Sequence, residues 1–304
     1  MPYFNDDWSC TRKLWERTAE FAAEYPDLLV HTHLLELEMS NTIARSNGAA
    51  DSLDLLEDVG ILDDRLLAAH FRMADEQDIQ RTANADVGVA HCASIFSYWN
   101  PDPEAQWTPV PDLLDAGVDV GLGIDDHYWH DSYDLLGEAR QARLAANLEW
   151  GHGQFTSREL VRMLTIDGAR ALNIGDEIGS LEAGKRADLL VLDISSPKFA
   201  PVNNVFAHVA NQATRADVET VIVDGQVLLR DGDLQTMDAD AVLDRVEAAM
   251  ERLEADTEWS FNLDGTETPS TWSVVRDAPK RGPTRMAARY ALQSFKDKLR
   301  LSPK

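Results

Sequence analysis

Short apolar runs that each close on a polar side chain set the pattern of this chain. The first is Leu28-Leu29-Val30-His31-Thr32-His33-Leu34-Leu35-Glu36. Leu66-Leu67-Ala68-Ala69-His70 and Val87-Gly88-Val89-Ala90-His91 repeat the form, and Val118-Asp119-Val120-Gly121-Leu122-Gly123-Ile124-Asp125 closes on an aspartate. Apolar runs this short, bounded by turn residues, read as buried strands. Helical patterns separate them. Residues 8–25 are amphipathic, with Leu14, Thr18, Phe21 and Ala22 on one side and Pro26-Asp27 as the stop. Residues 52–59 and 75–84 are further helices, and 111–116 is a short one with a first-turn proline and Gly117 behind it. Strands alternating with helices are β-α units of a parallel sheet. Polar residues at the C-terminal ends of consecutive parallel strands, here His33, His70, His91 and Asp125, are the catalytic layout of a (β/α) barrel. Four in succession exceed what filling a core requires. His31 and His33, at i and i+2, share a strand face. They suit either a divalent metal or a buried strand with two hydrogen-bonded histidines.

The second part of the chain is patterned differently. Residues 156–173 read as one helix, capped by Thr156 or Ser157 with Glu159 in the first turn. A turn-rich connector over 178–185 leads to an apolar strand at 187–193. Residues 218–223 and 226–229 flank Asp224-Gly225, a two-residue hairpin signal. Residues 238–253 are helical, with Ala241, Val242, Val246 and Met250 as the apolar stripe. Three domain segments are expected: 1–177 in the barrel, 178–236 as a small β unit, and 237–304 as a helix and tail. From residue 259 the chain turns basic, and a helix over 284–299 is expected to dock this tail on the acidic body.

Composition narrows the class. The 304 residues are 44% hydrophobic, enough for one large domain or one domain with a smaller companion. The net charge of -25 is spread along the chain and lysine is scarce beside arginine. That is a salt-adapted surface, and it disfavours nucleic acid and anionic membranes as partners. Two cysteines, Cys10 and Cys92, exclude a disulfide framework and a Cys-rich zinc module and fit a reducing compartment. The first residues lack the basic and apolar regions of a signal peptide, and no apolar run reaches membrane-spanning length. A soluble cytoplasmic protein is expected.

His31-Thr-His-Leu-Leu-Glu36, the His70 strand end, Val89-Ala-His-Cys92 and Gly121-Leu-Gly-Ile-Asp125 together resemble strands five to eight of the amidohydrolase superfamily. The likeness is to its cytosine-deaminase-like and chlorohydrolase-like branch. Residues 165–173, 178–193 and 223–227 resemble that family's segment at the end of the barrel. The resemblance implies an α/β fold: a partial, metal-dependent TIM-type (β/α) barrel with a small C-terminal β-sandwich segment. It implies a hydrolase of non-peptide C–N bonds acting on a small molecule. Deamination of a heterocyclic, nucleobase-like substrate comes first, with dechlorination or amide hydrolysis behind it. The implied cofactor is a divalent metal, zinc ahead of iron. His33 would be the metal ligand of strand five, and Glu36 would bind substrate and shuttle a proton to its ring nitrogen or leaving group. His70 would orient the attacking water and steady the oxyanion. Asp125 would bind the metal and accept the water's proton. His91 and the loop residue His130 would line the pocket, with His127 and Asp131 beside them, and His31 would be a neighbour rather than a ligand. Cys92-Ala93-Ser94 stands where the family has a proline and a Ser-Asn pair, and Asp126 where it has glycine.

The family's first strand carries a His-X-His pair, and here seven residues precede Trp8. The expectation is the C-terminal portion of a barrel, with His33 and Asp125 leaving the ion two ligands short. A partner chain bearing the N-terminal half, a displaced gene start or a self-pairing copy would account for that. The rival expectation is a non-catalytic scaffold subunit. A third makes His31 and His33 the first-strand pair of a smaller complete barrel.

Overall fold

The computed structural model describes residues 3–98, 107–125, 133–257 and 291–296. The four apolar runs form adjacent parallel strands β2 (Val30–Leu34), β3 (Leu66–His70), β4 (Gly88–His91) and β5 (Val120–Leu122). A fifth strand, β1 (Tyr3–Asp6), lies outside β2, pairing Tyr3 with His31 and Asp6 with His33. The sequence reading gave the residues before Trp8 no element, and this is a correction. Four residues are too few to show a period, yet β1 repeats the pattern of its neighbours by closing on the acids Asp6 and Asp7.

Alternation sorts the two faces of the sheet. Val30, Thr32 and Leu34 are buried, while His31 and His33 point the other way. Register carries that second face across the sheet, with His33 opposite Ala69, Ala69 opposite Ala90 and Ala90 opposite Gly121. The helices α1 (Arg12–Glu24), α2 (Met39–Ser46), α3 (Ser52–Val59) and α4 (Glu76–Asn84) connect the strands. Their ends are chemically marked. Thr11 caps α1, so residues 8–10 stand outside the expected helix. Asp51 caps α3 and left-handed Gly60 closes it, while Asp75 and Asp78 make a capping box on α4. Beyond β4 come α5 (Ala93–Tyr98) and α6 (Val110–Asp115), and beyond β5 comes α7 (Leu135–Trp150), which packs a face of small residues, Ala139, Ala142, Ala145 and Ala146, into the core.

The single helix expected over 156–173 is two, α8 (Ser157–Met163) and α9 (Ile166–Ala171), broken at Thr165. The break lets α9 lie directly against the sheet. A Cβ on Gly88 would fall 2.1 Å from the Ala171 carbonyl oxygen, and one on Gly121 would fall 2.9 Å from the Gly168 Cα. Backbone-to-backbone contact of this kind overrides helical periodicity. Helix α10 (Val205–Asn211) packs on α7 and α8.

The second unit is one antiparallel sheet in the order β6 (Leu189–Leu192), β7 (Val218–Val223), β8 (Gln226–Arg230) and β9 (Asp233–Leu234). A second layer that would make the expected sandwich is absent among the described residues. Asp224 and Gly225 at the hairpin have φ of 50° and 79°, the left-handed pair that a two-residue turn needs. Helix α11 (Ala239–Asp256) is capped by Asp238 but buries none of its residues; of its apolar stripe, Val242 and Met250 are half-buried and Ala241 and Val246 exposed. Residues 291–296 are helical and the remainder of the expected 284–299 helix lies outside the described residues. No helix among the described residues is long and apolar enough to cross a membrane.

Candidate active site

The C-terminal edge of the parallel sheet is where the backbone leaves regular geometry. Leu35, His70, Phe71 and Asp125 have φ of 50°, 73°, 50° and 66°. Left-handed backbone in residues other than glycine costs on the order of 1–3 kcal/mol each and persists where the surroundings impose it. At His70 the consequence is visible. Register places His70 opposite Leu34, on the face away from His33. Its ring nevertheless stacks on His33, with centroids 4.9 Å apart and planes 4° from parallel. The turn at His70 is what brings the two imidazoles to one side.

Four residues expected from sequence converge here. Donor atoms of His33, Glu36 and His70 lie within 4.8 Å of one another, and so do those of His70, Cys92 and Asp125. His70 belongs to both groups, and its Nε2 stands 3.5 Å from Asp125 Oδ2. Phe96 meets the His70 ring edge-on at 5.1 Å, and Arg72 lies 3.8 Å over the Phe96 ring. Thr108 donates a hydrogen bond to the His70 carbonyl at 2.5 Å, fixing the backbone at the turn. Burial, followed by the neighbouring His33 and Arg72, holds the His70 imidazole well below its ordinary basicity. It is therefore neutral near pH 7, the form that ligates a cation or accepts a proton. Its Nδ1 is buried with no hydrogen-bond partner among the described residues.

Glu36 is buried, and Trp8 Nε1 donates to its Oε2 at 3.5 Å. Burial raises its carboxyl pKa first of all; His33 and Trp8 oppose the rise, while Asp125 and Asp7 add to it. His31 shares the face of His33 but belongs to neither donor group, and burial lowers its pKa. His91 is buried, is pulled down to about 4 by desolvation, and stands one residue out of phase with the row that carries His33. His127, His130 and Asp131 lie outside the described residues.

Three residues near this edge escaped the sequence reading. Cys92 joins the donor group of His70 and Asp125. Asp6 accepts from Ser9 N at 2.6 Å, while its buried Oδ2 has no hydrogen-bond partner among the described residues. Asp7 is buried and ties down the chain beside Glu36: its Oδ2 accepts from Leu35 N at 3.0 Å and its Oδ1 from Ser40 Oγ at 2.8 Å. The signal for both acids was their place after an apolar pair, the form of the other strand ends, in a stretch too short to stand out.

Burial pushes the Asp7 carboxyl up to about 6. Its folded pKa exceeds its unfolded one, so folding favours the protonated form. That contribution is complete below about pH 4 and disappears as pH rises through 6, a swing of ~3 kcal/mol. Asp7→Asn retains an oxygen acceptor and cannot ionise. We expect its unfolding free energy to fall less than the wild type's between pH 4 and pH 7, measured by denaturant titration at both pH values. Parallel pH curves for the two proteins would show that Asp7 keeps an ordinary pKa.

The donor chemistry fits a borderline divalent ion: two imidazoles and two carboxylates from the ends of β2, β3 and β5 converge, and the buried His70 Nδ1 has no hydrogen-bond partner among the described residues. Two grooves of about 660 and 640 Å³ lie elsewhere, one beside Trp107 and Trp150 and one between the parallel sheet, α9 and β6. Neither is lined by these donors.

Comparison with known proteins gives a consistent picture. The sequence model of the amidohydrolase family matches residues 2–228. A 5-methylthioadenosine/S-adenosylhomocysteine deaminase of Moorella thermoacetica is 35% identical over 218 residues, covering 71% of this chain and 50% of that protein. An S-triazine hydrolase of Gordonia rubripertincta is 37% identical over 173 residues, covering 57% of this chain and 35% of that protein. An adenosine deaminase of Xanthomonas campestris, solved with bound zinc, superposes with a TM-score of 0.76 at 26% identity, covering 83% of this chain and 57% of that one. Atrazine chlorohydrolase of Arthrobacter aurescens, complexed with zinc, gives 0.69 at 26% identity, covering 78% of this chain and 52% of that one. The chain spans about half the length of the curated relatives it matches.

Proposed function

The chain belongs to the amidohydrolase family, and on that premise we propose that the strand-end cluster is the water-activating and proton-transferring centre of a metal-dependent hydrolase of non-peptide C–N bonds. Its reaction is deamination of an amino-substituted, nucleobase-like heterocycle. The observation that carries the reading is Glu36, a buried carboxyl that holds its proton unusually well and whose donor atom lies within 4.8 Å of those of His33 and His70. Such an acid suits protonation of a heterocyclic nitrogen, the step that makes the adjacent ring carbon electrophilic.

His33 and Asp125 would hold the divalent ion, zinc ahead of iron, which when bound supplies a Lewis acid that lowers the pKa of water towards neutrality. Asp125, 3.5 Å from His70, is placed to accept the proton of the attacking water at its carboxylate oxygen. The neutral His70 imidazole orients that water between itself and Asp125. Glu36 donates its proton to the ring nitrogen as water adds to the neighbouring carbon. The proton collected by Asp125 then passes to the departing amine while the Glu36 carboxylate takes back the proton of the new hydroxyl, so ammonia leaves, a carbonyl remains on the ring and both carboxyl groups return to their starting forms. Phe96 covers the water-orienting His70 ring, and Trp8 covers the proton donor Glu36. The identity with an S-triazine hydrolase favours a second reading, displacement of another ring substituent by the same residues.

The test is ammonia release from a panel of aminopurines and amino-triazines by the zinc-loaded full chain. We expect release from at least one, abolished by a chelator and restored by zinc. A zinc-bound protein that hydrolyses none of the panel would overturn the assignment.

A further inference from the structure

We propose that Trp8 forms the wall of the substrate site beyond Glu36 and selects rings by the substituent beside the protonated nitrogen: hydrogen or a small apolar group is accepted, and an amino or oxo group is rejected. The inference rests on the reading of Glu36 as the acid that protonates a ring nitrogen, and it narrows the heterocycles that this acid can serve. Strand order gives the direction. The parallel sheet runs β1-β2-β3-β4-β5, with Asp125 just beyond β5, His70 at the end of β3, Glu36 after β2 and Trp8 after β1. A ring whose reacting carbon faces His70 and Asp125, and whose nitrogen faces Glu36, turns its next carbon towards the β1 side of the sheet. Trp8 stands there, with its Nε1 donating to Glu36 Oε2 at 3.5 Å.

The turn that carries the indole is tied on both sides of it. Asp7 N donates to the His33 carbonyl at 3.1 Å, and the Asp7 carboxylate accepts from Leu35 N and Ser40 Oγ. On the other side, Ser9 N donates to Asp6 Oδ1 at 2.6 Å and Cys10 N to the Asp6 carbonyl at 3.3 Å. These bonds hold Trp8 against the segment that carries Glu36. The two acids before it are enclosed, at 1% and 2% exposure, whereas Trp8 is half-buried. Of these three residues, the indole is the one that a ligand meets.

A tryptophan that serves only the core is enclosed, as Trp15 is at 0% exposure. Trp8 keeps part of its ring open beside the proton donor. An indole has a single polar atom, a donor, and Glu36 takes it. The rest of the ring offers apolar contact alone. An amino or oxo substituent set against that surface gives up its water and finds no partner, a loss on the order of 10–100-fold in selectivity. A hydrogen or a methyl group in the same place has no hydrogen bond to lose.

Two rings of matched size test the wall. 2-Methyl-6-aminopurine and 2,6-diaminopurine differ only at the carbon beside the nitrogen that Glu36 protonates when the amine at position 6 departs. With the zinc-loaded full chain we expect kcat/KM for loss of that amine to favour the methyl ring by about 10–100-fold. Trp8→Phe retains an apolar wall and should retain most of that ratio. Trp8→Asn offers a donor and an acceptor to the amino group and should bring the ratio to unity or below. A general structural defect lowers both rates together and leaves the ratio where it was. Equal kcat/KM for the two rings in the wild type, or the same ratio in Trp8→Asn as in the wild type, would overturn the wall and leave Glu36 its role. Should Trp8→Asn not fold, Trp8→His, which adds an acceptor to a smaller ring, takes its place with the same expected result. Release of ammonia from neither ring, nor from unsubstituted 6-aminopurine, by the zinc-bound wild type would overturn the reading of Glu36 and the wall with it.

Discussion

Asp125→Asn lowers turnover by about 10²–10⁴-fold, the usual contribution of a positioned general base, while leaving the fold almost unchanged. The two halves of that expectation come from different properties of one residue. Asp125 sits at a φ of 66° just beyond β5, and asparagine is among the residues that adopt this conformation most readily. The substitution therefore adds no backbone strain. Volume is conserved, so Gly123 and Cys92 keep their contact. What disappears is the charge: the amide cannot take a proton from water and is a poor ligand for a divalent cation. Asp125 also raises the pKa of Glu36, so its neutral replacement should let the Glu36 carboxyl fall towards the ordinary range and move any pH dependence that Glu36 governs to lower pH. Steady-state kinetics on the zinc-loaded protein, with a denaturant titration of each form, would check both halves. Wild-type turnover in Asp125→Asn would remove it as the base, and a stability loss beyond about 0.5 kcal/mol, the usual range for a neutral substitution, would mean that the aspartate is part of the scaffold.

Much of this site could be read from the chain because strands fix both burial and direction. An apolar run that stops on a histidine announces a buried strand with a polar end, and repetition of that form gives the sheet, its parallel sense and the edge where chemistry collects. His33, His70 and Asp125 were legible for that reason. What no period encodes is the left-handed backbone at Leu35, His70 and Asp125, and it is this that turns His70 onto the face of His33. Cys92 stayed hidden for the same reason. One residue after a strand end, its direction depends on the turn rather than on alternation, and only the gap left by Gly123 shows where the sulfur goes. Strand β1 was too short to register. The break at Thr165 answers to contacts between α9 and the backbones of β4 and β5, which lie far away in sequence. The apolar stripe of α11 was read correctly as a pattern, but its residues are not buried.

The scaffold alternative meets the same geometry. A chain kept only for its surface has no use for a buried acid against two imidazoles. Leaving Glu36, Asp7 and Asp6 in the interior costs desolvation that each carboxyl shows as a raised pKa. Backbone strain at the same edge adds to that cost. Proteins tolerate such local conflicts where chemistry requires them, and here buried acids, unpartnered ring nitrogen and left-handed turns fall together at one end of one sheet.

Glu36→Gln tests the centre from the proton-donating side, and its effect should be as large, about 10²–10⁴-fold in kcat. Glutamine preserves the length and an oxygen to accept from Trp8 Nε1, so substrate should still bind and KM should change little. A loss confined to kcat is the mark of an interaction made in the transition state. The pH profile separates a proton donor from a mere contact. Burial above all keeps the Glu36 proton on, so wild-type turnover should decline as pH rises through its pKa, and the glutamine form should lack that limb. Stability should respond in the opposite sense. The carboxyl's folded pKa is raised, hence its contribution is present at low pH and lost as pH climbs past that value; glutamine, which never ionises, should make the protein more stable than wild type at pH 7. Protonation of the ring nitrogen is needed whatever the leaving group, and the departing amine takes its proton from Asp125, so Glu36→Gln should impair deamination and dechlorination of matched rings alike. Equal and unchanged kcat for both substrates would take Glu36 out of the mechanism, whereas a loss in KM alone would leave it as a binding group with no part in proton transfer.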